Sequence, residues 1–108
     1  MQNLDSSMTL VQPCGALNAA NAESFQQALT SAISSQQSEG LLVDMSQVDS
    51  MDSSGLISLV SVLSLARTLG KRFSLCAVPP SVRIVFELTQ LDRVFEMVEG
   101  SSEETLAA

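Results

Sequence analysis

The residues best placed for chemistry are Asp52, Ser53, Ser54 and Gly55, the middle of the run Met51-Asp52-Ser53-Ser54-Gly55-Leu56. A hydroxyl next to a carboxylate and a glycine suits three roles. It could be a nucleophile, an acceptor for a phosphoryl group, or a cap for the helix that follows. A serine nucleophile needs a general base, usually histidine, and this chain has none. Its one lysine, Lys71, falls beyond the far end of the predicted helix, about 25 Å away at ~1.5 Å rise per residue. A small serine hydrolase is therefore disfavoured and no catalytic residue is assigned. A modified serine would gain ~1.5 to 2 negative charges at neutral pH. As a cap, Ser53 would accept from an orphan N–H of the first helical turn.

Two flanking elements must hold this loop. Before it, Leu41-Leu42-Val43-Asp44-Met45 is short and continuously apolar up to Asp44, as a parallel strand covered on both faces would be. After it, Leu56 to Leu69 is free of Gly and Pro and predicts a helix over 54–69. A strand-to-helix loop is where open α/β folds place function. Gln47 to Ser50 is read as connecting loop, and Met51 as pointing inward. Asp44 either sits at the strand's solvent-facing tip or takes N–H bonds from the next loop, or else it contacts a partner.

Taken in order, residues 1–7 read as a flexible N-terminal segment and 8–108 as one domain. Met8 to Gln12 predicts a strand, and Pro13 makes it either an edge strand or one interrupted by a bulge. Gly15 suits a turn or bulge. Asn18 or Asn21 is the candidate cap of a helix with its buried stripe at Ala22, Phe25, Ala28, Leu29, Ala32 and Ile33. Gly70 ends the helix after the loop, with Arg67 and Lys71 near its negative pole. Phe73 to Val78 is a strand, and Pro79-Pro80-Ser81 stops it and caps a helix over 82–89 with Val82, Val85, Phe86 and Leu88 inward. Phe95 to Val98 is a last strand, and 102–106 a final helical turn. Strands alternating with helices give an α/β fold with a mainly parallel sheet.

Composition limits the partners. The net charge is −7, and the mean hydropathy of +0.27 excludes a disordered chain. Residues 1–66 hold Asp5, Glu23, Glu39, Asp44, Asp49 and Asp52 but no Lys or Arg, so no basic stripe exists for nucleic acid. An acidic half either favours a partner presenting positive charge or serves only solubility. The longest apolar stretch is broken by Ser58, Ser61, Ser64 and Arg67, too polar for a membrane span. Met1 to Asp5 lacks the basic and apolar regions of a signal peptide, so a cytoplasmic location is expected. Cys14 and Cys76, both placed in strands, read as buried thiols, with neither metal nor cofactor implied. On the long helix, Leu56, Leu59, Val60, Leu63 and Ala66 face the sheet. Ile57 and Leu65, among Ser58, Ser61, Ser64 and Thr68, form a second apolar face that either binds a partner or is covered by another element.

The run M-D-S-S-G-L after V-D-M-S resembles the signature of STAS-domain anti-sigma factor antagonists, the bacterial anti-anti-sigma factors. Gly15-Ala16-Leu17-Asn18 with Asn21-Ala22 resembles the family's G-x-L-D element. Leu75-Cys76-Ala77-Val78 with Pro80, Val82, Phe86 and Leu91 resembles its later strand and short helix. The likeness spans roughly residues 8 to 100. It implies a four-turn βα superhelix and phosphorylation of Ser53, with Asp52, Ser54 and Gly55 forming the switch loop. Partner contacts would involve Asn18, Asp49, Ile57, Ser61 and Leu65. Asn18 stands where the family usually has Asp, so a contact there would rest on hydrogen bonding. The implied partners are an ATP-binding anti-sigma serine kinase, bound by the unphosphorylated form, and a PP2C-type phosphatase. The implied alternative is a STAS module that regulates or scaffolds a target unrelated to sigma factors. Within the loop, Asp52 either forms an Asx-type turn or touches the kinase, and Ser54 would cap the helix once Ser53 is modified.

Overall fold

The computed structural model describes residues 8–98. Two expectations, the N-terminal segment 1–7 and the helical turn at 102–106, lie outside the described residues. In chain order the elements are β1 (Met8–Val11), β2 (Gly15–Leu17), α1 (Ala22–Ser34), β3 (Gly40–Asp44), β4 (Val48–Met51), α2 (Ser53–Leu69), β5 (Arg72–Cys76), α3 (Pro80–Leu88), a 3-10 turn (Leu91–Arg93) and β6 (Glu96–Val98). The strands form a four-stranded sheet in the order β1-β3-β5-β6 and a two-stranded sheet β2-β4, with every pairing parallel. The expected α/β class with a mainly parallel sheet is what the chain adopts.

All five residues of β3 are buried, which explains the uninterrupted apolar run that marked it. The edge position weighed for β1 from Pro13 is also correct, and Gly15 sits at φ +81° beside a register shift between β2 and β4. Beneath α1 and α2 the core gathers Leu29, Ile33, Leu41, Val43, Met45, Leu59, Val62, Leu75 and Phe86, each at most 1% exposed. Phe95 closes it at one end, 5.3 Å from the ring of Phe86 and 6.0 Å from that of Phe73.

Several expectations need correction. Residues 48–51 are not loop but strand β4. Its pattern has Val48 and Met51 buried and Asp49 and Ser50 exposed, and pairing with β2 satisfies a backbone too short and polar to announce itself. Ala28 is exposed, being ~100° around α1 from Leu29. Leu88 is 78% exposed because it stands two residues, or ~200°, from buried Phe86. Cys14 lies in the connection between β1 and β2 and is exposed; only Cys76 is buried. β5 stops at Cys76 because Ala77 takes φ +54°, a left-handed value that ends the ladder. The α3 N-terminus has Pro79 at its cap position, with no side-chain bond from Ser81.

Lys71 does something no spacing suggested. Its ammonium donates to the carbonyls of Ile33 (2.8 Å) and Ser35 (2.7 Å), so it closes the C-terminus of α1, which has no basic residue of its own. Across β5 and β6, Arg72 pairs with Glu96 at 2.6 Å. That bond holds the Glu96 carboxyl below its ordinary range and raises the Arg72 guanidinium.

Candidate functional site

The loop into α2 begins where β4 ends. Asp52 donates its N–H to the Leu17 carbonyl (3.0 Å), which ties the loop to β2, and its own carbonyl accepts from Leu56 N–H at 3.1 Å. Its carboxylate Oδ1 accepts from the N–H groups of Ser54 (2.9 Å) and Gly55 (3.3 Å). Asp52 is therefore the N-cap of α2, and Ser53 is the first helical residue. The capping role weighed for Ser53 from sequence belongs to its neighbour. The reason is that Asp and Ser cap about equally well, and the carboxylate also gains from the positive pole of a 17-residue helix.

The consequence for Ser53 is freedom. Its side chain is exposed and makes none of the hydrogen bonds that fix this turn. Ser54 is half-buried inside the helix with its N–H engaged, so it does not stand in reserve as a cap. Gly55 is buried, and the reason is spatial. A Cβ there would lie 2.9 Å from Leu17 Cβ, 2.9 Å from Met51 Cγ and 3.0 Å from the Leu17 carbonyl. The glycine lets the first turn of α2 sit against β2 and β4. Met51 points inward, as expected.

The other candidate residues fall around this turn at different depths. Ile57, one turn on from Ser53, is 62% exposed. Ser61 is half-buried, and Leu65 is half-buried and packs against the core. The second apolar face of α2 thus narrows to Ile57. Asp49 is exposed on β4, and its carbonyl accepts from Ser81 Oγ at 3.3 Å, which brings the start of α3 to the same end of the molecule. Asn18 spends its side chain on its own loop, where Oδ1 accepts from Ala20 N–H at 2.9 Å. Asn21 occupies the cap position of α1 without capping it. It instead accepts from Asn18 N–H (3.0 Å) and donates to the Ala16 carbonyl (2.7 Å).

Asp44 is buried at the end of β3. Oδ1 accepts from Ser46 N–H (2.9 Å) and Oδ2 from Gln12 Nε2 (3.1 Å), the structural role weighed for it from sequence. Burial, with a smaller effect from the Asp44 charge, pushes the Cys76 thiol up to about 11. Ser58 was not singled out, yet it is buried in α2. Its hydroxyl lies 3.1 Å from the Ala22 carbonyl of α1 and 3.2 Å from that of Ser54, joining the two helices beside the loop. A serine at the fifth position of a predicted amphipathic helix carries no signal that separates it from a surface serine. Among the described residues no group of three or more His, Cys, Asp or Glu could hold a metal ion, and no helix is long and apolar enough to cross a membrane.

Comparison with known proteins adds to this geometry. The sequence matches the family model of the STAS domain over residues 3–105. A Thermotoga maritima protein classed as an anti-sigma factor antagonist superposes with a TM-score of 0.82 at 24% identity, covering 94% of this chain and 86% of its own. The anti-sigma factor antagonist SpoIIAA in its unphosphorylated form gives 0.79 at 20% identity, covering 97% and 90%. The SpoIIAA of Bacillus is also solved in a phosphorylated form, with a TM-score of 0.74 at 19% identity, covering 98% and 94%. The STAS domain of a Vibrio cholerae SulP transporter gives 0.72 at 16% identity, covering 96% and 81%. At these identities the likeness establishes the fold.

Proposed function

The chain belongs to the STAS domain family, and from that premise we propose that it is an anti-sigma factor antagonist gated by phosphorylation of Ser53. In the unphosphorylated state it binds an ATP-binding anti-sigma serine kinase and so frees a sigma factor. The same kinase phosphorylates Ser53 and ends the interaction, and a PP2C-type phosphatase restores it. The protein acts in the cytoplasm as a binding module rather than an enzyme.

The observation that supports this most is the division of labour between Asp52 and Ser53. Because the carboxylate already holds the N–H groups of Ser54 and Gly55, the hydroxyl is free for a kinase without cost to the helix. The same bonds leave few backbone donors for a phosphate on Ser53. That group carries ~1.5 to 2 negative charges beside Asp52 and must be served by water. An interface closing over it would strip that water away and set it against a carboxylate, which opposes binding. The fold should change little.

A Ser53→Ala variant should bind the kinase and resist modification, whereas Ser53→Asp should bind it at least tenfold more weakly. Equal binding of wild type and Ser53→Asp in a pull-down with the purified kinase would defeat the proposal. The likeness to a transporter's STAS domain supports a second reading, a regulatory module for a target outside sigma control. Failure of every anti-sigma kinase to phosphorylate the chain, read by mass spectrometry of the Ser53 peptide, would favour it.

A further inference from the structure

Helices α1 and α2 pack against each other, and their outer surfaces border a groove of about 810 Å³. Glu23, Gln27 and Thr30 line it from α1, and Ser54, Ile57 and Ser58 from α2. The solvent face of a helix ordinarily carries charge. Here Glu23 is the single charged residue among the 13 of α1, and Arg67 the single one among the 17 of α2. Arg67 stands at the other end of its helix, where it reaches the Val94 carbonyl. Charge is depleted in this way at the centres of protein interfaces. Within this weakly charged surface Ile57 exposes 62% of its area.

We propose that the groove docks one amphipathic helix of a protein partner, which lays an aliphatic side chain on Ile57 and sets a lysine or arginine against Glu23. A seam between two packed helices accepts a third by the ordinary helix-in-groove mode. The charge of the occupant follows from complementarity. The groove's own charge is a carboxylate on a protein of net charge −7, so a basic helix is drawn in and an acidic one repelled. Ser54 and Ile57 also belong to the partner-binding reading above, so the groove deepens that reading and rests on it; a peptide titration contains no kinase and no phosphate, so its failure is distinct from failure of the Ser53 switch.

The probe is a synthetic helix of leucine and lysine, roughly 18 residues or 27 Å long, titrated into the ¹⁵N-labelled full chain. Its counterpart in leucine and glutamate serves as the control. The expected result is amide shifts concentrated at Glu23, Gln27, Ile57 and Ser58 with the basic peptide and none with the acidic one. Glu23→Lys should weaken binding about fivefold and Ile57→Asp about tenfold. Glu87→Lys, the same charge change on the exposed part of α3, should leave it within about twofold. Both groove positions are exposed, and thermal melts check that the variants fold. Absence of binding, shifts spread over α3 or the sheet edges, or equal losses from Glu23→Lys and Glu87→Lys would each overturn the proposal.

Discussion

Replacing Asp52 by alanine should destabilise the fold, while replacing Ser53 by alanine should not, and this contrast tests the geometry of the turn into α2. Asp52→Ala removes the acceptor of two N–H groups, at 2.9 and 3.3 Å. Loss of an N-cap costs about 1 kcal/mol, and loss of the carboxylate from the helix's positive pole about 0.5 kcal/mol more. The sum, about 1.5 kcal/mol, lowers Tm by roughly 6–9 °C for a domain of this size. Asp52→Asn keeps an acceptor and loses only the charge, so it should fall between, about 0.5 kcal/mol below wild type. Ser53→Ala, at an exposed position with no role in the cap, should stay within about 0.5 kcal/mol. Urea unfolding followed by circular dichroism gives all four stabilities, with a common m-value confirming that the same transition is compared. If Ser53→Ala were as damaged as Asp52→Ala, the hydroxyl would be the cap after all and its availability to a kinase would be lost.

Two further outcomes follow from packing and protonation. Gly55→Ala gains about 1 kcal/mol of helix propensity but drives a methyl to within 3.0 Å of Leu17 and Met51, which costs about 1–3 kcal/mol; urea unfolding should show net loss, and a stabilised variant would contradict the close approach. The buried Cys76 thiol keeps its proton up to about pH 11, while an unfolded thiol ionises near pH 8.5. Between those values the native state binds the extra proton, so stability falls as pH rises, by up to about 1.4 kcal/mol per unit. Urea midpoints from pH 8 to 11 should show that slope, Cys76→Ala should remove it, and Cys14→Ala should leave it intact.

Much of this fold was legible because apolar runs and periodicity report burial directly. The continuous run of β3 follows from that logic, while the Gly70 stop after α2 and the edge position of β1 follow from where glycine and proline punctuate the chain. What escaped was structure held by backbone pairing or by single polar atoms. β4 has only Val48 and Met51 inward, too few to register as a strand, and it exists because β2 offers it a ladder. At the site, the order of residues was readable but the assignment of the cap was not. Asp52 and Ser53 are equally good caps by type, and one residue of helix phase decides between them. Lys71 and Ser58 act across 38 and 36 residues of sequence, and no local pattern encodes such partners.

Calorimetric titration decides whether a phosphate on Ser53 turns binding off while leaving the fold intact. The chain, unmodified and then stoichiometrically phosphorylated at Ser53, is titrated against the same anti-sigma kinase, with a thermal melt of each form. The unmodified chain should bind saturably, the phosphorylated one at least tenfold more weakly, and the two melting temperatures should agree within a few degrees. Equal affinity of the two forms, or a phosphorylated chain that no longer folds, would contradict the proposal.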